Sequence, residues 1–164
     1  MRRSMLFLPA NSPNMVVNGG VLGADSLIFD LEDAVSPDEK DAARDLLRGA
    51  LEALDFGRCE RVVRINGLDT PYWRADLEAV LPLGPELIML PKTGCGEDVR
   101  QLDGALTELE DAHRLTPGRT GIIALLETAA GVENAYAAAS ACGSLGYALA
   151  DAQMADRVIV ITDC

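Results

Sequence analysis

The stretch "SLIFDLEDAV", Ser26 to Val35, decides how the rest of the chain is read. Leu27, Ile28 and Phe29 form an unbroken apolar run, the pattern of a strand buried on both faces. Asp30, Glu32 and Asp33 follow at once. Ionised carboxylates are costly in such surroundings unless something pairs with them or they stand at the strand's open end. The stretch therefore predicts a buried strand whose C-terminal end presents acids to a ligand.

Similar apolar runs recur on either side of it: "MLFLP" at 5–9, "RVVRIN" at 61–66, "LIMLP" at 87–91 and "GIIALLE" at 121–127, with "YALA" at 147–150 and "RVIVIT" at 157–162 as weaker copies. Helical signals fill the gaps. Ser36-Pro37-Asp38-Glu39 has the composition of a capped helix start, and Leu46, Leu47, Ala50, Leu51 and Leu54 continue it at helical spacing. Thr70-Pro71 is expected to open a second helix, which Tyr72 and Trp73 help to pack, and Thr128 to open another over "AAGVENAYAAASA". Strand and helix alternating at roughly 30-residue intervals imply βαβ units and a parallel sheet. Residues 1–164 read as one domain.

A parallel sheet gathers the C-terminal ends of its strands on one edge. In this order the strands end on Asn11, on Glu32 and Asp33, on Arg64 and Asn66, on Lys92, and on Glu127. That edge is where (β/α)8 barrels and open α/β sheets place their chemistry. "GCGED" at 94–98 has neither a Walker lysine nor a dinucleotide fingerprint, so the α/β class expected is the (β/α)8 barrel type, incomplete at six to seven of its eight units. Asp30 is expected to turn away from the edge, capping or pairing locally.

Composition narrows the partners. The 14 basic and 26 acidic residues leave a net charge of −12. A nucleic-acid binder needs a basic face, and no cluster supplies one. Lys40 and Lys92 are the only lysines, so an anionic ligand has to be met by a few placed cations. No apolar run approaches the length of a membrane span, and the apolar stretch after Arg2 and Arg3 stops at Pro9, too early for an export signal. A cytoplasmic location is the expectation. Cys59, Cys95, Cys142 and Cys164 have neither metal-ligand nor redox spacing and read as reduced thiols. His113, in a polar stretch, reads as a surface residue at a helix end.

Two chemistries suit such an edge. In one, Mg²⁺, which takes oxygen ligands and keeps several waters, is bound by Glu127. Glu32 and Asp33 hold its waters, and Arg64 pairs bidentately with a substrate carboxylate. In the other, Lys92 forms a Schiff base with a ketone. The bland alternatives are an Arg64 that only ties strands together through Glu32 or Asp33, a Glu127 that only serves a helix start, and a Lys92 that only makes a salt bridge.

Five stretches carry a specific likeness: "RSMLFLPANSPNM", "GADSLIFDLEDAVSPDEKDAAR", "VVRINGLDTPYW", "LIMLPKT" and "ALLETAAGVENAY". In that order they resemble the HpcH/HpaI aldolase family, which includes citrate lyase beta subunits and the malyl-CoA and citramalyl-CoA lyases. The likeness runs over about residues 2–150. It implies a (β/α)8 barrel, Mg²⁺ dependence, a homo-oligomer or partner lyase subunits, and cleavage of a 3-hydroxyacyl-CoA thioester such as citryl-CoA. The products would be an acyl-CoA and a 2-oxo acid such as oxaloacetate. By motif, Arg64 grips the oxo acid, Glu127 binds the metal, Glu32 and Asp33 lie near its water shell, and Arg3 and Lys92 stand near the thioester ligand.

The pattern then departs. Where the family reads like "GAEDY", with a second metal-ligating aspartate, this chain reads "GYALADAQMADR". An ungapped alignment puts Gln153 there, and Asp151 or Asp156 reaches the position only by a shift of register. A barrel of six or seven strands leaves open edges, which a partner or a second copy is expected to cover. The competing reading is a non-catalytic truncated paralogue that acts as an assembly or interaction subunit.

Overall fold

A computed structural model describes residues 2–142 and 158–162, the last five as backbone only. The chain divides into two compact units, Met1–Glu86 and Leu87–Cys164.

The first unit holds β1 (Met5–Pro9), α1 (Pro13–Asn18), β2 (Ser26–Asp30), α2 (Lys40–Ala53), β3 (Glu60–Arg64) and α3 (Trp73–Val80). Its three strands are parallel and level. Met5 lies beside Ser26 and Ser26 beside Glu60, while Pro9, Asp30 and Arg64 end together. The ladder continues one step further, with the Ala10 N–H donating to Asp30 O and the Leu31 N–H to Arg64 O, both at 2.9 Å. All of β2 is buried, as its unbroken apolar run requires. Ala43, Leu47 and Leu51 line the buried side of α2 at a spacing of four. Phe29 meets Phe56 edge-on, with ring centroids 5.2 Å apart.

The second unit holds β4 (Leu87–Leu90), α4 (Gly96–Ala112), β5 (Gly121–Leu126), α5 (Ala129–Glu133), α6 (Ala135–Ala139) and β6 (Val158–Thr162). β4 pairs with β5 and β5 with β6, again in parallel. β4 is wholly buried, and Val99, Leu102, Leu106 and Leu109 form the apolar stripe of α4. Strand–helix alternation with parallel pairing inside each unit is the architecture of the (β/α)8 type. Among the described residues, no helix is long and apolar enough to cross a membrane.

Local starts differ from the sequence expectation in instructive ways. Ser36 caps no backbone N–H; its Oγ donates to Glu39 Oε2 at 3.2 Å, and Pro37–Glu39 form a 3₁₀ turn ahead of α2. α3 begins at Trp73, later than Thr70-Pro71; the Thr70 hydroxyl closes the turn before it, donating to the Gly67 carbonyl at 2.7 Å and accepting the Tyr72 N–H at 3.4 Å. Thr128 does cap α5, accepting the Gly131 N–H at 3.0 Å. The helix expected over 129–141 breaks at Asn134 into α5 and α6. His113 ends α4 and is exposed, as expected. Cys59 and Cys95 are free thiols, the Cys142 Sγ donates to the Val99 carbonyl at 3.8 Å, and Cys164 lies outside the described residues.

Candidate functional site

In the first unit the C-terminal strand ends build an interlocked charged cluster. Level pairing of β2 and β3 sets Asp30 beside Arg64. Asp30, only 2% exposed, is its hub. Asp30 Oδ1 accepts the Glu32 N–H at 2.9 Å and Oδ2 the Ala34 N–H at 3.2 Å, folding residues 31–34 back as an Asx-type turn. The same two oxygens take Arg64 Nε at 2.8 Å and Nη2 at 2.6 Å. Arg64 Nη1 lies 3.2 Å from Glu32 Oε2, and the guanidinium stacks 4.9 Å from the centre of the Phe7 ring. Burial works against the Arg64 charge, but Asp30, then Glu32 and Asp33, outweigh it and hold its pKa above the ordinary value.

This geometry defines what Arg64 can offer. Asp30 occupies the Nε–Nη2 edge and Glu32 stands beside Nη1, so a second planar acid would meet the guanidinium on its Nη1–Nη2 side, next to Glu32. The Arg64–Glu32 contact anticipated in the sequence is present, though the dominant partner is Asp30. Asp30 caps the turn, as expected, but it does not turn away from the edge: level strand pairing holds it at the hub of the cluster, bonded to Arg64 on the neighbouring strand. Asp33 is exposed beside it.

Behind this edge lies a buried network that the sequence reading did not resolve. Lys40, 6% exposed, donates from Nζ to the Leu31 and Glu32 carbonyls, each at 2.6 Å. It thereby fixes the turn that carries Glu32. Desolvation lowers its pKa, opposed by Asp76, Asp30, Glu32 and Asp33. Asp76, fully buried, takes Arg44 Nη1 at 2.8 Å and both the backbone and the side-chain nitrogen of Asn66, at 2.9 and 2.7 Å. Asn66 Nδ2 also donates to the Leu31 carbonyl at 3.0 Å. A signal was legible in hindsight: Lys40 is one of two lysines in an acidic chain and follows the acid turn directly.

Arg3 does not join this edge. It precedes β1, at the opposite end of the strands, and pairs there with Asp25 through Nη2–Oδ1 at 2.9 Å. That hydrogen-bonded pairing raises the Arg3 pKa and holds the Asp25 carboxyl well below the usual range. Its position and its partner tie Arg3 to the N-terminal edge of the first unit, apart from the Arg64 cluster.

In the second unit the strand ends bring Lys92 and Glu127 together. The Lys92 backbone N–H donates to Glu127 Oε1 at 2.7 Å, and both residues are exposed. A Schiff-base lysine is activated by desolvation, and an exposed Lys92 lacks that cause. Gln153, Asp151 and Asp156 lie outside the described residues.

Residues 3–155 match the HpcH/HpaI aldolase/citrate lyase family. The chain belongs to that family. It is 45% identical over 141 residues to the citrate lyase subunit beta of Leuconostoc mesenteroides subsp. cremoris, a match covering 86% of this chain and 47% of the relative. It is 38% identical over 133 residues to a (3S)-malyl-CoA thioesterase of Cereibacter sphaeroides, covering 81% and 43%. Among solved structures it resembles the citrate lyase beta subunit of Mycobacterium tuberculosis complexed with oxaloacetate and magnesium. That likeness has 36% identity and a TM-score of 0.64 and covers 84% of this chain and 52% of that one. The complex of the M. tuberculosis protein CitE with magnesium, acetoacetate and coenzyme A aligns with a TM-score of 0.66 at 35% identity, covering 89% and 48%. The chain thus spans about half the length of the curated family members it matches.

The family's magnesium can be tested against the residues present. Among the described residues, no three His, Cys, Asp or Glu side chains gather as a metal cluster. Mg²⁺ does not require one, since one or two carboxylates with waters and substrate oxygens suffice. Glu127 fits as such a ligand: an exposed carboxylate at a strand end, with one oxygen held by a backbone N–H.

Proposed function

We propose that this chain carries carbon–carbon lyase chemistry, cleaving a 3-hydroxyacyl-CoA of the citryl-CoA type to an acyl-CoA and a 2-oxo acid such as oxaloacetate. In that cleavage the bond between the α-carbon of the thioester and the hydroxyl-bearing carbon breaks. The electron pair passes to the thioester as an enolate, which is then protonated, and the hydroxyl loses its proton to become the ketone. Arg64 takes the carboxylate beside that carbon on its Nη1–Nη2 edge, held in orientation by Asp30 and Phe7. Glu127 is the ligand of Mg²⁺, which when bound supplies Lewis-acid stabilisation of the oxygen charge. Glu32 and Asp33 orient water at the acid turn, and Lys92 meets the anionic substrate by charge.

The observation that carries this reading is the partly occupied guanidinium: one edge of Arg64 is fixed by a buried carboxylate and the other suits a planar acid. The family membership and the oxo-acid and magnesium complexes of its relatives support it. The proposal places the protein in the cytoplasm, assembled from copies of itself or with partner lyase subunits. Incubation with Mg²⁺ and citryl-, malyl- or citramalyl-CoA, with oxo-acid release as the readout, tests it. Release that disappears in Arg64→Lys supports the lyase. Folded wild type that releases nothing from any of the three supports the non-catalytic subunit instead.

A further inference from the structure

The loop between β4 and α4 has a backbone conformation that the roles above leave unexplained. Lys92 sits at φ +50°, in the left-handed region that glycine enters freely and a side chain resists. Such conformations persist only where the surroundings over-determine them, and here they do. The Lys92 N–H is directed at Glu127 Oε1, 2.7 Å away. Next along the chain, the Thr93 N–H donates to the Leu125 carbonyl at 3.1 Å. Asn134 Nδ2 then holds the Gly94 carbonyl at 2.9 Å. Gly131 packs so closely that a Cβ there would stand 2.2 Å from the Thr93 carbonyl oxygen. Residues 92–94 are thus clamped between the end of β5 and α5.

We propose that the left-handed turn at Lys92 is a positioning device for Glu127. The main-chain N–H of Lys92 holds Oε1, so the carboxylate presents Oε2 to Mg²⁺ in one orientation. Carboxylates that ligate metals are commonly fixed by such a hydrogen bond, and fewer rotamers are then lost on binding. In this role Lys92 acts through its backbone, and its ammonium is dispensable. The inference rests on Glu127 as metal ligand, the reading given under Proposed function.

Glycine at position 92 keeps the required φ, whereas β-branched valine opposes it. The experiment titrates Mg²⁺ calorimetrically, without substrate, into wild type, Lys92→Gly, Lys92→Val and Glu127→Ala. It also follows the residue-92 amide by ¹H–¹⁵N NMR. Lys92→Gly is expected to bind Mg²⁺ within about twofold of wild type, while Lys92→Val loses about tenfold, the usual cost of losing a support behind a metal ligand. The residue-92 amide proton should lie downfield in wild type and in Lys92→Gly, and move upfield in Glu127→Ala. If Lys92→Val does not fold, Lys92→Ala replaces it with the same ordering against glycine. Equal Mg²⁺ affinity in the glycine and valine variants, with uptake abolished by Glu127→Ala, overturns this inference alone. No Mg²⁺ uptake by wild type overturns the metal reading as well.

Discussion

The two strand-end regions handle charge in opposite ways. In the first unit Asp30, Glu32, Arg64, Lys40 and Asp76 are largely buried and each is tied down: Asp30 and Glu32 to Arg64, Lys40 to two carbonyls of the acid turn, and Asp76 to Arg44 and Asn66. In the second, Glu127 and Lys92 are exposed, and the carboxylate is held through a backbone N–H on a strained turn. The contrast has a physical logic. A guanidinium that must meet a planar acid in one orientation gains from a rigid cage. A hard, hydrated cation is better served by an accessible carboxylate that leaves room for waters. Mutations should therefore cost stability and oxo-acid affinity in the first region and Mg²⁺ affinity in the second.

The largest effect should come from Asp76→Ala. It leaves the mostly buried Arg44 guanidinium with only the exposed Asp41 as an ion-pair partner and unties Asn66, and breaking a buried pair from one side costs about 3–5 kcal/mol. Urea denaturation measures it; a loss below about 1 kcal/mol, the scale of an exposed pair, would erase the contrast. Asp30→Asn comes next. The amide retains one oxygen for the turn but opposes the Arg64 fork with its NH₂ group. We expect a loss of about 2–3 kcal/mol, the scale of a hydrogen bond to a charged group. Oxo-acid affinity should fall about tenfold while Mg²⁺ affinity holds. A parallel fall in both would show that the two regions do not act separately.

The smallest effect is a control on the surface of the first unit. Arg61 Nη2 donates to Glu86 Oε1 at 2.6 Å. Burial raises the Glu86 pKa, but these hydrogen bonds outweigh it and hold it below the ordinary value. A carboxyl depressed on folding stabilises the protein above its unfolded pKa, and that contribution fades as pH falls through the folded one. Stability should thus decline below about pH 4.5 less steeply in Glu86→Gln than in wild type, read from denaturation midpoints between pH 6 and 3.

Much of this was legible in the sequence, and the reason lies in periodicity. The apolar runs of β2 and β4 need no tertiary information to be read as buried parallel strands. The register that levels Pro9, Asp30 and Arg64 is a different matter, because pairing is set by packing across strands. Arg64 was recognisable as a candidate, but its chief partner Asp30 was not, since one residue's shift would have directed that carboxylate elsewhere. Lys40 escaped for a related reason. Its ammonium serves two carbonyls of a turn, and side chain to backbone bonds leave no pattern of complementary residues. The pairing of Arg3 with Asp25 was not legible, because the partner lies before the next strand and the pair forms only once the two strands are in register. The positive φ at Lys92 was unreadable because the groups that hold residues 92–94, from Leu125, Glu127 and Asn134, come from segments distant in sequence.

If the proposal holds, the Nη1–Nη2 edge of Arg64 receives the carboxylate of an oxo acid. Calorimetric titration of oxaloacetate, with Mg²⁺ present, into wild type and Arg64→Lys tests it most directly. Lysine keeps the charge but not the fork, so Arg64→Lys should bind oxaloacetate at least about tenfold more weakly while its Mg²⁺ binding is unchanged. Equal oxaloacetate affinity in the two proteins would contradict it.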